Sequence, residues 1–344
     1  MIRIGLIGCG KIGQVRHLPE YADNENSEIC ALYDINMERA QELAKKYGAK
    51  AYDSVEALLA SDIDAVSICS ANTSHADIAL KALEAGKHVL CEKPMATTLE
   101  DCEAMVAAAK KAGRVLMIGQ NQRLAGAHKK AKELIDAGAI GRVLTFRTAF
   151  CHGGPETWSV DPGLNTWFFD KARAAMGAMA DLGVHKTDLL QFLIGQTITE
   201  VSAQLTVLDK KFADGTPITV DDNAFCVYKM DGGAMGTMTV SWTNYGAEDN
   251  STVLFGTEGV LRIYDDPEHT LVLVKKSGEI EYYDVDQIQT NDNQTKSGVI
   301  DMFIDHLLDS SRPCITGESV LPAMRAVFGA IESDRTGRVV KVNI

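Results

Sequence analysis

Short apolar runs alternate with amphipathic stretches over the first 120 residues of the chain. The apolar runs, among them "IRIGLI", "EICALY", "AVSICS" and "HVLCEK", have the length of buried strands. Helical periodicity lies between them, for example near residues 12 to 24 and 37 to 47. Strands that alternate with helices in this way predict a doubly wound parallel sheet with helices on both faces, an α/β fold.

The pattern changes near residue 120. After a predicted helix over residues 128 to 141, longer runs alternate apolar and polar side chains with a period of two, as in "AMGTMTVSW". "DGG" at 231 to 233 and "TEG" at 257 to 259 are typical hairpin turns between such runs. The second half of the chain therefore predicts an α+β fold built on a mainly antiparallel open sheet.

Length and composition add limits to this picture. A chain of 344 residues is longer than one hydrophobic core usually supports, so we expect two domains, residues 1–120 and 121–344. A formal net charge of -13 argues against a nucleic-acid partner. No apolar run reaches the roughly 20 residues of a membrane span, and no signal-peptide pattern opens the chain. The eight cysteines are scattered without zinc-ligand spacing, so we expect no metal and a cytoplasmic location.

A glycine-rich turn follows the first predicted strand. Gly8, Gly10 and Gly13 form G-x-G-x-x-G at the start of a helix, and Asp34 ends the second strand about 20 residues later. This context predicts a Rossmann domain that binds a dinucleotide, and we expect Lys11 and Ile12 of the turn to take part. A carboxylate at position 34 accepts hydrogen bonds from a ribose 2'-hydroxyl and repels a 2'-phosphate, which favours NAD over NADP. Arg39 on the next helix could still reach the same pocket.

A second group of polar residues, "CEKP", ends the predicted fifth strand. Glu92 and Lys93 should stand at the carboxyl edge of the parallel sheet, where ligands of doubly wound folds bind. The Lys93 ammonium is either a solvated charge at a strand end or a group that stabilises a substrate oxygen during hydride transfer. Pro94 restricts the backbone of the lysine before it.

"ADLGVHKTDLL" at 180 to 190 places two acids and a histidine at helical spacing. If Gly183 does not break the helix, Asp181, His185 and Asp188 share one face, because residues at i, i+3 and i+4 are neighbours. The alternatives are a capped or salt-bridged surface helix and a small catalytic group. The segment by itself does not decide between them.

Several of these motifs occur together in one known family. The chain resembles the glucose–fructose oxidoreductase/inositol dehydrogenase/rhizopine-catabolism (Gfo/Idh/MocA) family in "GLIGCGKIG", in Asn72 and His75 of "ANTSH", in "CEKP", in Arg123 of "NQR" and in "DLGVHKTD". The resemblance runs along the full length. It implies a two-domain enzyme that uses NAD(P) to oxidise a secondary hydroxyl of a sugar or cyclic polyol, or to reduce the ketone.

The resemblance also implies roles for particular residues. Lys93, Asp181 and His185 match the catalytic positions of the family. We expect His185 to exchange the hydroxyl proton, because neutral imidazole accepts protons near neutral pH, and Lys93 to hold the same oxygen. Lys93 could instead be the base. The chain departs from many relatives in "RAAMGAMADLG", where Met176 and Met179 replace a glycine-rich run, so the substrate does not follow from the resemblance.

Other side chains are candidates for the cofactor or substrate site. We expect cofactor contacts from Asn72, His75, Glu92 and Lys93. We expect substrate contacts from Lys93, Arg123, Trp167, Asp181 and His185, with Tyr245 and His152 as further pocket candidates. Each has a structural alternative: a turn residue, a helix start, a domain-junction salt bridge or simple packing. Aromatic faces suit a sugar pocket because they pack against the apolar side of the ring.

Two other functions remain open from the sequence. One is a sensor that binds NAD without catalysis, and the other is a redox-neutral enzyme that retains its NAD while it modifies a sugar. The two-faced alternation of the second domain also leaves apolar side chains on the outside of its sheet. We therefore expect a homodimer or homotetramer formed through that sheet.

Overall fold

The computed structural model describes residues 1–285 and 296–343 of the chain. Within them the chain divides into two compact units. The first comprises Met1–Asn121, Trp158–Asp161 and residues 296–321, and the second comprises Gln122–Thr157, residues 162–285 and residues 322–343. Two segments that follow residue 121 in the sequence therefore belong to the first unit. A functional boundary at residue 120 stays a prediction.

The first unit contains, within the described residues, one parallel sheet of six strands in the order β3-β2-β1-β4-β5-β6. The strands are β1 (Ile2–Ile7), β2 (Ser27–Tyr33), β3 (Lys50–Ala51), β4 (Ala65–Ile68), β5 (His88–Cys91) and β6 (Leu116–Ile118). Every residue of β4 is buried, as expected for a central strand with helices on both faces. The strand order reverses between β1 and β4, where doubly wound sheets bind ligands.

The second unit is built on a larger sheet. In the part of the chain that the structure describes, this sheet has nine strands in the order β14-β13-β12-β11-β7-β10-β9-β8-β15. The strands are β7 (Val143–Cys151), β8 (Ile198–Thr206), β9 (Asn223–Met230), β10 (Met235–Ser241), β11 (Thr252–Gly256), β12 (Gly259–Ile263), β13 (Leu271–Lys275), β14 (Ile280–Tyr283) and β15 (Val340–Lys341). β10 pairs with β7 in parallel and all other neighbours are antiparallel.

The helices fall into both units. They are α1 (Leu18–Asp23), α2 (Met37–Tyr47), α3 (Val55–Leu59), α4 (His75–Glu84), α5 (Leu99–Ala112), α6 (Gly126–Asp136), α7 (Pro155–Trp158), α8 (Lys171–Ala174), α9 (Val184–Ile194), α10 (Val299–Leu308) and α11 (Gly317–Thr336). α1 to α5 and α10 belong to the first unit, and α6, α8 and α9 to the second. Two π-helical turns, Gly13–His17 and Met179–Gly183, lead directly into α1 and α9.

The predicted fold class is confirmed: a parallel Rossmann sheet precedes a mainly antiparallel one. The alternation in "AMGTMTVSW" is also observed, since Met238, Val240 and Trp242 are fully buried while Thr237 is exposed. The two predicted hairpins join β9 to β10 and β11 to β12. The parallel pair in the middle of the second sheet was not expected, because period-two patterning does not reveal strand direction.

The described residues contain neither a helix that could cross a membrane nor a cluster of metal-binding side chains. None of the helices in residues 1–285 and 296–343 combines the length and apolar character that crossing a bilayer requires. The same residues contain no group of three or more histidine, cysteine or acidic side chains that could hold a metal ion.

Candidate active site

The glycine-rich turn connects β1 to the helical segment that begins at residue 11. Gly8 has φ +97°, and a Cβ there would lie 2.5 Å from the backbone carbon of Cys69. A Cβ on Gly13 would lie 2.9 Å from the carbonyl oxygen of Gly8. A Cβ on Gly10, by contrast, would meet no described atom within 4 Å. Gly8 and Gly13 therefore permit tight backbone packing, whereas Gly10 leaves open space in front of a helix N-terminus.

This arrangement fits the pyrophosphate of a dinucleotide. Backbone amides at a helix N-terminus attract anions, and a glycine without a neighbouring atom lets a phosphate approach the main chain. Lys11 and Ile12 begin the helix and are half-buried.

Asp34 follows β2 and is buried beside the same turn. Its Oδ2 accepts a hydrogen bond from the backbone amide of Cys9 at 2.6 Å, and its Oδ1 accepts one from the amide of Asn36 at 2.8 Å. The carboxylate thus joins the glycine-rich turn to the start of α2. Each carboxylate oxygen can accept a second hydrogen bond, so this structural role leaves capacity for a ribose hydroxyl.

A pocket of about 390 Å³ opens next to Asn36. It is lined by Gln14, Asn36, Glu38, Arg39, Glu42, Leu43 and Val160. The Arg39 Nη2 donates to Asp161 Oδ1 at 2.7 Å, and both residues belong to the first unit. The sequence raised Arg39 as a possible contact of this pocket, but gave no sign that residues 160 and 161 lie there.

Glu92 and Lys93 follow β5. The buried Glu92 carboxylate accepts hydrogen bonds from His17 Nε2 at 2.8 Å and from Arg16 Nη1 at 3.1 Å. Burial disfavours its charged form, but the bond from His17 and the neighbouring positive charges hold the pKa of Glu92 well below its usual range. Its observed contacts fix the first helix against β5, while its predicted cofactor contact stays a prediction. Lys93 is half-buried and its bond to Pro94 is cis.

Asn72 and His75 lie after β4, both buried. Asn72 opens a short 3-10 turn, Asn72–Ser74, and His75 is the first residue of α4. The His75 ring faces two carbonyl oxygens, that of Pro94 at 2.8 Å from Nδ1 and that of Ser70 at 3.1 Å from Nε2. Burial lowers the pKa of His75, and a neutral ring has one N–H, so it donates to one of the two carbonyl oxygens at a time. His75 therefore ties α4 to the residue after Lys93.

In the second unit, the helix that carries Asp181 and His185 is continuous through Gly183. Met179–Gly183 forms a π-helical turn with i→i+5 hydrogen bonds, and the α-helix starts at Val184. A Cβ on Gly183 would lie 2.5 Å from the Met179 sulfur, so a larger residue there would require the Met179 side chain to move. Gly183 thus does not break the helix, although the spacing in the sequence does not reveal the π turn. Such turns occur frequently at functional sites.

Asp181 and His185 are both buried, whereas Asp188 has a separate role. The Oδ2 of Asp181 accepts a hydrogen bond from Trp242 Nε1 at 3.1 Å. Asp188 instead accepts from Arg123 Nε at 2.7 Å, in a buried pair within the second unit. Asp188, which the helical spacing places on the same face, is therefore engaged in a separate ion pair. The Arg123 pair corresponds to the salt-bridge alternative, although it lies inside one unit, and substrate binding by Arg123 stays a prediction.

Two histidines lie next to the ring of Phe150. His185 lies 6.2 Å from it and His152 lies edge-on at 5.7 Å, measured between ring centroids. Trp167 is half-buried and stacks on Phe168 at 3.9 Å. Tyr245, the remaining pocket candidate, is mostly exposed, and its hydroxyl donates to Asp209.

Lys186 is a buried cation that the sequence analysis did not single out. Its Nζ donates to the carbonyl oxygen of Asn250 at 2.9 Å. Burial lowers the pKa of Lys186 to about 7, although the charges of Asp249 and Glu248 oppose the shift. Glu248, at the surface, also interacts electrostatically with Asp181. No clear signal in the sequence indicates this burial, because Lys186 lies in a run of four polar residues at the start of α9.

Comparison with known proteins identifies the family of this chain. Residues 2–120 match the family model described as "Oxidoreductase family, NAD-binding Rossmann fold", and residues 128–262 match the "GFO/IDH/MocA C-terminal domain". A myo-inositol 2-dehydrogenase of Thermotoga maritima is 29% identical, over 99% of this chain and 98% of the relative. A levoglucosan dehydrogenase of Pseudarthrobacter phenanthrenivorans is 33% identical, over 75% of this chain and 72% of the relative.

A solved structure agrees with these matches. The levoglucosan dehydrogenase in complex with NADH and levoglucosan superposes with a TM-score of 0.86 at 25% identity, over 99% of both chains. The fold and the glycine-rich turn define an NAD-binding oxidoreductase. The chain belongs to the GFO/IDH/MocA oxidoreductase family. The resemblance and the expectation of an NAD(P)-dependent dehydrogenase are confirmed at this level.

Proposed function

We propose that the protein interconverts a secondary hydroxyl and a ketone on a sugar or an inositol-like cyclic polyol, with NAD rather than NADP. The observation that carries the proposal is the pair of Asp181 and His185, buried on one π-helical and α-helical segment with the carboxylate fixed by Trp242. Relatives named for myo-inositol and levoglucosan support the substrate class.

In this proposal each side chain has one task. A bound nicotinamide ring supplies the hydride acceptor for oxidation and the donor for reduction. His185 takes the hydroxyl proton during oxidation and returns it during reduction. Lys93 stabilises negative charge on the reacting oxygen. Asp181 accepts a hydrogen bond from a neighbouring hydroxyl, because the Trp242 bond leaves its other lone pairs available.

The preference for NAD rests on the buried carboxylate of Asp34. Its two oxygens accept hydrogen bonds from backbone amides of the glycine-rich turn and of the start of α2, so the position of the negative charge is fixed. A fixed carboxylate accepts hydrogen bonds from ribose hydroxyls and repels a 2'-phosphate.

The decisive experiment is His185→Asn, assayed for NADH formation with myo-inositol, scyllo-inositol, levoglucosan and simple glucosides. We expect turnover to fall by about 10²- to 10⁴-fold, the usual contribution of a general base, with NADH affinity unchanged. His269→Asn is the matched control, because it makes the same change at a surface ion pair with Asp284 and should keep full activity. Near wild-type turnover of His185→Asn would refute the assignment and leave Lys93 as the candidate base.

The wild-type protein also discriminates the other two functions. A sensor would bind NADH and turn over none of the panel. A redox-neutral enzyme would purify with its dinucleotide bound and would not consume added NAD. Either result contradicts the proposed dehydrogenase.

We further propose a cytoplasmic homodimer or homotetramer formed through the outer face of the second sheet. Large apolar side chains are exposed there: Phe225, Val227, Met235, Phe255, Ile280 and Tyr282. An apolar face of this kind usually has a partner. Sedimentation velocity at micromolar concentration should give a dimer or tetramer, and a monomer alone would contradict the proposal.

A further inference from the structure

The pocket beside Asn36 is completed by a segment that is distant in sequence. Residues Trp158–Asp161 belong to the first unit, and Val160 lines the pocket. The adjacent Asp161 accepts a hydrogen bond from the Arg39 guanidinium at 2.7 Å. Among the residues that line the pocket, Arg39 carries the positive charge. Asp161 therefore binds the guanidinium that would otherwise attract an anion there.

The charges around this pocket are unbalanced. Arg39 stands among the carboxylates of Glu38 and Glu42, which line the pocket, and of Asp161. Asp34, two residues before Asn36 in the sequence, is a further acidic residue and supplies no positive charge. The Asp161 side chain is 74% exposed and that of Arg39 is 20% exposed, so water and ligands can reach the pair. Its strength is therefore modest, and a phosphate could compete for the guanidinium.

We propose that Asp161 is a specificity-determining residue that disfavours a dinucleotide carrying a 2'-phosphate. It does so by occupying Arg39 and by adding a negative charge at the same place. The inference rests on the proposed NAD-dependent function and adds to it a second discriminating carboxylate, supplied from outside the continuous Rossmann sequence. Asp34 is held by the backbone, whereas Asp161 acts through Arg39.

The test is a thermodynamic cycle of Asp161→Asn, Arg39→Gln and the double variant, with calorimetric titration of NADH and NADPH. Asparagine keeps the shape of the side chain and removes its charge. We expect Asp161→Asn to tighten NADPH binding about three- to tenfold at low salt, with NADH affinity changed less than about twofold. With Arg39→Gln in the background, the same substitution should tighten NADPH binding much less, because the freed guanidinium is absent.

Asp62→Asn is the matched control. Asp62 is also an exposed carboxylate paired with an arginine of the first unit, Arg3, but it does not line the pocket. It should change neither affinity. Unchanged NADPH affinity in Asp161→Asn, or an equal gain for NADH, would overturn the inference while leaving the proposed function intact. Failure of the wild-type protein to bind NADH would refute both.

If Asp161→Asn loses NADH binding together with NADPH binding, the segment has a structural role and the inference is wrong. Arg39→Gln alone provides an independent reading. It should weaken NADPH binding only slightly in the wild type, but clearly in the Asp161→Asn background. Equal losses in the two backgrounds would show that Asp161 does not control Arg39.

Discussion

Replacement of Lys186 by methionine should change how stability depends on pH. Lys186 is fully buried, and its native pKa of about 7 compares with about 10.4 for a lysine in water. Between these values the unfolded chain binds a proton that the native protein does not bind. The free energy of unfolding of the wild type therefore rises with pH from about 7 to about 10.5.

The size of the effect follows from the same two values. A full difference of about 3.5 units corresponds to at most about 5 kcal/mol, of which about 2 kcal/mol should develop between pH 7 and pH 9. Lys186→Met removes the titrating group and keeps a side chain of similar length. It also removes the donor to Asn250, a loss of roughly 1 to 3 kcal/mol that does not depend on pH.

The assay is urea unfolding of both proteins at pH 7, 8 and 9 and at one fixed protein concentration. The free energy of unfolding of the wild type minus that of Lys186→Met should increase by about 2 kcal/mol across this range, whichever protein is the more stable at pH 7. Lys211→Met, at an exposed position of the second unit, should run parallel to the wild type. Parallel curves for wild type and Lys186→Met would refute the reasoning, because they would mean that the native ammonium titrates as it does in water.

Two other predictions follow from the packing of the sites. Gly8→Ala should lower the melting temperature, because it combines φ +97° with a contact of 2.5 Å to Cys69, at a cost of roughly 1 to 3 kcal/mol or more. Gly10→Ala should leave the melting temperature unchanged and weaken NADH binding, seen by fluorescence titration, and equal melting losses in the two variants would contradict this. Arg123→Gln should destabilise the protein by about 3 to 5 kcal/mol in thermal or urea unfolding at pH 7, because it leaves the Asp188 carboxylate buried without its cation. Since burial raises the pKa of Asp188, that loss should shrink at acidic pH, and a loss independent of pH would argue against an uncompensated charge.

Local patterns in the chain predicted both folds and the position of the glycine-rich turn. Periods of two and of 3.6 residues report which face of an element is buried, and this suffices to distinguish an α/β half from an antiparallel half. The G-x-G-x-x-G turn could also be recognised from a local pattern, the spacing of its glycines between a strand and a helix. The contact that requires Gly13 is with Gly8 of the same turn, whereas the contact that requires Gly8 is with the backbone of Cys69, which follows β4.

The same patterns could not predict the π-helical turn at Met179–Gly183. All five residues of this turn are buried, and helical spacing looks alike in sequence whether the hydrogen bonds are i→i+4 or i→i+5. Nor does helical spacing reveal that Asp188 pairs with Arg123, 65 residues away in sequence.

The sequence by itself therefore determined the type of each sheet, the family and the residues that could do chemistry. Only the tertiary structure decided their partners: Trp242 for Asp181, and Asp161 for Arg39. Those partners are 61 and 122 residues apart. Periodicity fixes which side of an element faces inward, but the register and connections of distant elements fix which side chain it meets there.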